Sequence, residues 1–232
     1  MPAGTRITST KQGFTTTTTT TTTIMTTGTT SIDPRLLQLA SPALPVGAYS
    51  YSGGLEAAIE AGLVTDAPSA QRWIGDVLEF SVLRMEAPLL LRMIEAPDVR
   101  WNEELLASRE TAELRAETVQ MGYSLANLLR SLEIEIPESE ETSFPMAFAC
   151  AARHWGIEPR QALVAYLWGW LENQVMAAVK AVPLGQTDAQ RMLLALGARL
   201  RDVSGEGPGN FAPGLAILSS RHETQYSRLF RS

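Results

Sequence analysis

The chain has 232 residues, 45% of them hydrophobic, a single cysteine and a net charge of −6, with a pI near 5.1. A domain of roughly 200 residues buries about 70% of its unfolded surface, so its core needs neither disulfide nor metal; the lone Cys150 excludes an intrachain disulfide and fits a reducing, cytoplasmic setting. The acidic balance argues against a broad nucleic-acid surface, the most apolar stretch, Ala162 to Val182, carries Glu172, Asn173, Gln174 and Lys180 and so does not suit a bilayer, and the N-terminus lacks the apolar core of a secretory signal.

Residues 1–31 include the run Thr15 to Thr23 and contain no acidic residue. Such a tract has too little apolar side chain to offset the entropy of ordering, so a disordered extension is expected there, with a domain over residues 32–232. A transit peptide fits less well, because Arg6 and Lys11 are the tract's basic residues.

From Asp33 the pattern is helical. Asp33-Pro34 is an N-cap followed by proline at the first helical position, where its missing N–H costs nothing. Leu36, Leu37 and Leu39 follow, then a loop from Ser41 to Gly54 rich in Pro, Gly, Ser and Tyr. A short helix from Leu55 to Ala61 stops at Gly62. A long one runs from about Pro68 to Glu95, with a kink expected at Pro88.

Met121, Leu125, Leu128 and Leu132 share one face of the next helix, with Glu113, Arg115 and Glu117 read as its solvated side. Ser143 caps a helix from Phe144 to Trp155. Pro159 opens another, in which Leu163, Leu167, Leu171, Val175 and Val179 recur every fourth residue. Thr187 to Gln190 reads as a capping box, and the helix after it carries Leu193, Leu196, Leu200 and Val203. Gly205 to Pro213 is a loop, and Leu215 to Ser219 starts a last helix. Leu132 to Ile136 alternates like a strand but is too short to make a sheet. The fold class is therefore all-α, a bundle of about eight to ten helices.

Chemistry is sparse. Neither G-x-G-x-x-G nor the Walker loop occurs, so nucleotide binding lacks its usual cradle. Cys150 and His154 lie four apart on one predicted helix and so share a face. They read either as half a metal site or a thiol beside a base, or, better, as packing, since a free cysteine in an Ala-rich stretch behaves as a small hydrophobe. His222-Glu223 lies near the chain end, where a hydrolytic site would lack walls. Tyr49 and Tyr51 flank Ser50 in the Pro/Gly loop and suit an interface, because tyrosine joins a large apolar area to a polar tip. The tail, Arg221 to Ser232, carries Tyr226, Leu229 and Phe230 at i, i+3 and i+4, with Arg228 and Arg231 beside them. One helical turn would gather the three on one face, loosely held until a partner covers it, with Arg228 able to reach the Tyr49 loop.

Three blocks are more specific. Leu36-Leu37-Gln38-Leu39-Ala40-Ser41-Pro42-Ala43-Leu44-Pro45-Val46-Gly47-Ala48-Tyr49-Ser50-Tyr51-Ser52, with Gly54-Leu55-Glu56 after it, resembles the N-terminal signature of the UreF family of urease accessory proteins. Val175 to Gln186 is similar to that family's central motif, and Arg221 to Ser232 to its C-terminus. Residues 98–143 match more loosely, through Glu113-Leu114-Arg115 and Gln120-Met121-Gly122. The resemblance implies an all-α homodimer that binds UreD (UreH in some species), the GTPase UreG and urease apoprotein. GTP hydrolysis by UreG would drive nickel transfer, with nickel supplied by UreE. This chain would be no enzyme and would bind no cofactor; nickel and GTP act through its partners. Tyr49, Ser50, Tyr51, Lys180, Gln186, Tyr226, Arg228, Leu229, Phe230 and Arg231 would meet partners. In a variant reading Lys180, Gln186 and Arg191 stimulate or gate UreG's hydrolysis, against ordinary cap and surface chemistry for all three.

Removing residues 1–31 is expected to leave urease activation intact. Loss of activation in the truncated chain, with the domain still folded by circular dichroism, would count against that.

Overall fold

The computed structural model describes residues 33–202 and 209–232; the extension expected over residues 1–31 lies outside them. Among the described residues every regular element is helical, and there is no β-strand. Helix α1 (Pro34–Ala40) starts as its sequence dictates: the Asp33 carboxylate accepts the Arg35 N–H at 2.8 Å, and Pro34 follows at the first helical position. The loop after it holds one 3-10 turn, Ala48–Ser50, before α2 (Leu55–Glu60). Gly54 enters α2 at a φ of +82°, and a Cβ there would meet Leu215 Cδ1 at 2.7 Å. The turn thus needs both the left-handed region and the close approach of another helix.

The long helix predicted from Pro68 to Glu95 is three segments in unbroken succession: α3 (Ala67–Val77), a π-helical stretch (Leu78–Glu86) and α4 (Ala87–Glu95). Asp66 and Ser69 form a capping box at its start. The disturbance expected at Pro88 is taken up in the turns before it. Proline lacks an N–H and its ring crowds the carbonyl four residues back. Here the Ala87 N–H reaches the Val82 carbonyl, five residues back, in the wider π pattern.

Helices α5 (Val99–Ala107) and α6 (Ala112–Ser131) are capped by Asp98 and Thr111. Helix α7 (Phe144–His154) starts at Ser143, whose Oγ accepts the Met146 N–H at 3.2 Å. Then come α8 (Pro159–Ala181), α9 (Gln186–Gly197), a 3-10 turn (Ala198–Asp202) and α10 (Pro213–His222). Helix α8 is the hub, touching α1, α2, α3, α4, α7 and α9. Its stripe Leu163, Leu167, Leu171 and Val175 is buried, and Ala162, Ala165, Ala177 and Ala178 are buried beside it. A helix apolar on so many sides belongs in the interior. Each buried leucine contributes roughly 1.5–3 kcal/mol before ordering costs. The Phe148 and Tyr166 rings stand edge to face, centroids 5.1 Å apart, and tie α7 to α8.

Four expectations are corrected. The Thr187 capping box does not form: α9 already starts at Gln186, and the Asp188 and Ala189 N–H groups both bond the Gly185 carbonyl, which places Thr187 inside the first turn. Leu132 is exposed, because α6 ends at Ser131 and Leu132 lies past its last turn. Glu113 and Glu117 turn inward to polar partners from the C-terminal segment, while Arg115 alone of that trio is exposed. Finally, the tail beyond Gln225 is not helical. A helix that short is marginal on its own, and the N–H groups of Leu229, Phe230 and Arg231 have fixed acceptors elsewhere in the fold.

Among the described glycines, Gly122 sits in the tightest contact. A Cβ on it would lie 2.5 Å from Ser143 C and 2.7 Å from Phe144 N, backbone atoms at the start of α7 that cannot swing aside. Gly122→Ala is expected to destabilise the fold by on the order of 2–3 kcal/mol, from overpacking α6 against α7; urea unfolding of the two proteins checks it.

Candidate partner-docking site

The C-terminal segment lies across the domain as a strap, and Glu56 in the first turn of α2 holds it. Glu56 Oε1 accepts the Leu229 N–H at 2.6 Å and Oε2 the Phe230 N–H at 2.8 Å. Charge-assisted bonds of this kind are roughly twice as strong as neutral ones. The strap then runs beside the loop before α2. The Arg231 N–H donates to the Ser50 carbonyl at 2.8 Å, and the Ser52 N–H donates to the Ser232 main-chain oxygen at 2.9 Å. The Ser52 hydroxyl donates to that same oxygen. Phe230 is buried, 4% exposed, with the Lys180 ammonium 4.5 Å above its ring centroid.

A row of acids from α6 faces the strap's inner side. Glu113 Oε1 accepts Arg228 Nη1 at 2.6 Å, and its Oε2 lies 2.7 Å from His222 Nδ1. His222 Nε2 faces Glu56 Oε2 at 3.2 Å, and the imidazole is 0% exposed. One turn further along, Glu117 Oε2 accepts the Ser232 hydroxyl at 2.6 Å. Burial pushes the Glu117 carboxyl up to about 7; the Ser232 bond and the Arg109 charge oppose the rise, and Glu86 and Glu113 add to it.

Deeper in lies a second polar group. Glu86, at the end of the π-helical stretch, pairs with Arg109 and accepts the Tyr166 hydroxyl. Burial, then the Glu86 charge, raises the Tyr166 hydroxyl well above its usual range, so it stays protonated and donates. Burial is the strongest single influence on Arg109 and opposes its ionisation, but Glu86, Tyr166 and Glu110 together outweigh it and raise the guanidinium further. These groups, with Glu117, border a cavity of about 350 Å³ that extends to Tyr49 and Met176.

The structure brings several of the sequence-predicted residues together. Ser50 meets Arg231, Lys180 covers Phe230, and Arg228 is joined to α6 through Glu113 rather than to the Tyr49 loop. Tyr49 is 75% exposed at the turn, whereas Tyr51 is buried and its carbonyl accepts Asn173 Nδ2 at 3.2 Å. Leu229 is half exposed and Tyr226 fully so. Gln186 is exposed at the start of α9; no hydrogen bond or ring contact among the described residues joins it or Tyr226 to the strap group. Arg191 pairs with Asp188 at 3.2 Å. Cys150 is buried with its thiol pushed up to about 11 by burial, while His154 is exposed, so the two make no joint site. Among the described residues no cluster of three or more His, Cys, Asp or Glu has the arrangement to hold a metal ion, and no helix is long and apolar enough to cross a membrane.

Known proteins match this chain along most of its length. The family model for UreF matches residues 64–197. The urease accessory protein UreF of Azoarcus sp. (strain BH72) is 56% identical over 85% of this chain and 94% of its own. The chain belongs to the UreF family. UreF of Dechloromonas aromatica (strain RCB) is 50% identical over 85% of this chain and 96% of its own, and that of Janthinobacterium sp. (strain Marseille) 48% over 85% and 96%. The span matched by the UreF model includes Glu86, Arg109, Glu113, Glu117, Tyr166 and Lys180 but neither the Tyr49 loop nor the strap. In this UreF-family chain the residues missed by sequence reasoning are the anchors Glu56, Glu113, Glu117 and His222. A carboxylate inside the apolar run Leu55-Glu56-Ala57-Ala58-Ile59 was the one local signal, since a lone acid there must find donors.

Glu117 sets a pH dependence. Its carboxyl is raised from 4.5 to about 7 in the fold, so the folded state binds this proton more tightly than the unfolded state does. Its contribution to stability is complete below about 4.5 and is lost as pH rises through about 7. Glu117→Gln keeps an acceptor for Ser232 and removes the charge. Its stability relative to the wild type is expected to rise by on the order of 1–3 kcal/mol between about pH 5 and about pH 8, measured by urea unfolding.

Proposed function

We propose that this chain serves urease maturation as a non-catalytic scaffold. It joins UreD (UreH) to the GTPase UreG, and the assembly inserts nickel into urease apoprotein at the expense of GTP hydrolysis. On this reading it works as a homodimer in the cytoplasm, and nickel and GTP are handled by its partners. The observation that carries the reading is the convergence of three distant sequence blocks on one surface. Tyr49 and Ser50 from the N-terminal block, Lys180 from the central block, and Leu229 to Arg231 from the C-terminal block are joined by the Arg231–Ser50 bond and the Lys180–Phe230 contact. Exposed Tyr49, Leu229 and Arg231 suit a protein interface, where tyrosine and arginine carry much of the binding energy. Membership of the UreF family supports the urease context.

A second reading, a regulator of UreG's hydrolysis, is favoured by Lys180 and Gln186. Both are exposed, and Lys180 makes no ion pair among the described residues, leaving a cation for a phosphate-bearing partner. Arg191 fits this less well, being engaged by Asp188. Co-purification of the chain with UreD and UreG, followed by reconstituted urease activation, tests the scaffold. UreG turnover with and without saturating chain separates the two readings, since a pure scaffold leaves it unchanged.

Tyr49→Ala is expected to weaken assembly with UreD and UreG by about tenfold or more, the effect of losing one interface anchor, while thermal unfolding of the free chain shifts little because the ring is solvated. Unchanged affinity for both partners would remove Tyr49 from the surface.

A further inference from the structure

We infer that the cavity between the π-helical stretch, α6 and α8 is a binding site for a small neutral amphiphile, a molecule with an apolar body and an amide-like head that both accepts and donates hydrogen bonds. Side chains in a protein interior interlock at the density of organic crystals, so an unfilled space of this size calls for an occupant. Its volume, about 350 Å³, falls in the range of small-molecule sites. A dry cavity of about 150 Å³ takes up benzene, and by that measure this one has room for roughly fourteen non-hydrogen atoms. One wall is the π-helical stretch, which contributes Ser81, Val82 and Glu86; such wide turns are frequent at functional sites. Leu44, Val46, Met121, Phe144, Phe148 and Trp170 make much of the remaining lining apolar.

The polar groups of the lining decide the head. Arg109 bonds Glu86 through Nη2. Its Nη1 has no hydrogen-bond partner among the described residues, and its Nε is buried without one. A guanidinium carries five N–H donors, and donors left unmet away from water cost free energy. Glu117 lines the same space, near enough for the Arg109 charge to act on its carboxyl. Glu117 Oε2 accepts the Ser232 hydroxyl, while Oε1 bonds nothing among the described residues. Glu86 and Glu110 are already occupied, the first by Arg109 and Tyr166 and the second by Ser81 and Asn210.

The head must therefore accept from Arg109 and meet Glu117. A carboxylate would add its charge to those of Glu86, Glu110, Glu117 and Glu172, with Arg109 the one cation among the described lining residues. An ammonium has no lone pair for Arg109 and would set a second cation beside it. A primary amide meets both groups: its carbonyl accepts from Arg109, and its NH2 donates to Glu117 Oε1. Because the amide also accepts, it serves the Glu117 carboxyl in either protonation state.

The test titrates linear primary amides, hexanamide to decanamide, into the full-length chain carrying labelled methionine methyl groups. Met121 and Met176 border the cavity, whereas Met192 is buried in α9 away from it. Saturable NMR shifts are expected at the Met121 and Met176 methyls, with Met192 unmoved. Affinity is expected to rise about fourfold per added methylene. Octanoate and octylamine are expected to bind about tenfold or more weakly than octanamide, since each brings an unpaired charge into the lining. Absence of saturation, an affinity indifferent to chain length, equal shifts at Met192, or a charged congener that binds as tightly as octanamide overturns the proposal. The experiment uses the wild-type chain alone, so its failure leaves the urease-maturation reading standing.

Discussion

The arrangement of the strap and the Tyr49 loop depends on one buried carboxylate. Glu56 enters the interior in the first turn of α2, where the helix's unsatisfied N–H end favours a negative charge. A carboxylate there is costly unless it is fully bonded. Its partners come from the far end of the sequence: two consecutive main-chain N–H groups donate to it, and the His222 ring faces it. Satisfying the acid and positioning the strap are therefore one event. Main-chain groups of Leu229, Phe230 and Arg231 do much of the bonding, which leaves the Leu229 and Arg231 side chains free to face outward.

The two buried polar groups are laid out differently. Around Glu86, a single acid is held by Arg109, from the α5–α6 connection, and Tyr166 of α8. Around Glu113, the acid is local but its partners, Arg228 and His222, arrive with the C-terminal segment. Removing one partner of a buried pair leaves an uncompensated charge, whereas the intact pair adds little beyond what an apolar replacement would give. Such groups specify geometry more than they add stability. The first group fixes how the π-helical stretch meets α8; the second fixes where the tail lies.

Much of the helical order was legible in the sequence. The Asp33-Pro34 start, the Ser143 cap and the fourfold repeat from Leu163 to Val175 each state a local rule that the packing obeys. The strap was legible as something that docks but not as to what it docks on. Its Tyr226, Leu229, Phe230 spacing suggested a helical face, yet Phe230 is buried while Tyr226 is solvated. Hydrogen bonds from main-chain N–H groups leave no mark in residue identity, so an extended docked segment looks the same as an unpartnered one. Glu113 and Glu117 were misplaced for a related reason: four-residue spacing reports that two acids share a face, and the donors that draw that face inward, Arg228 and the Ser232 hydroxyl, lie more than a hundred residues away.

The π-helical stretch from Leu78 to Glu86 also sets a phase. An α-helix advances 3.6 residues per turn, so a residue more or less rotates everything downstream by about 100°. The wider turns before Pro88 absorb such an offset and bring two azimuths into agreement: the face of α3 carrying Ala70 and Ile74, and the face of α4 carrying Leu90 and Met93. Were those nine residues to wind back into ordinary α-helix, α4 would turn its apolar face off α7, and Glu86 would swing out of line with Tyr166 and Arg109. The wide turn is thus the rod's angular vernier, although nothing in its composition announces that.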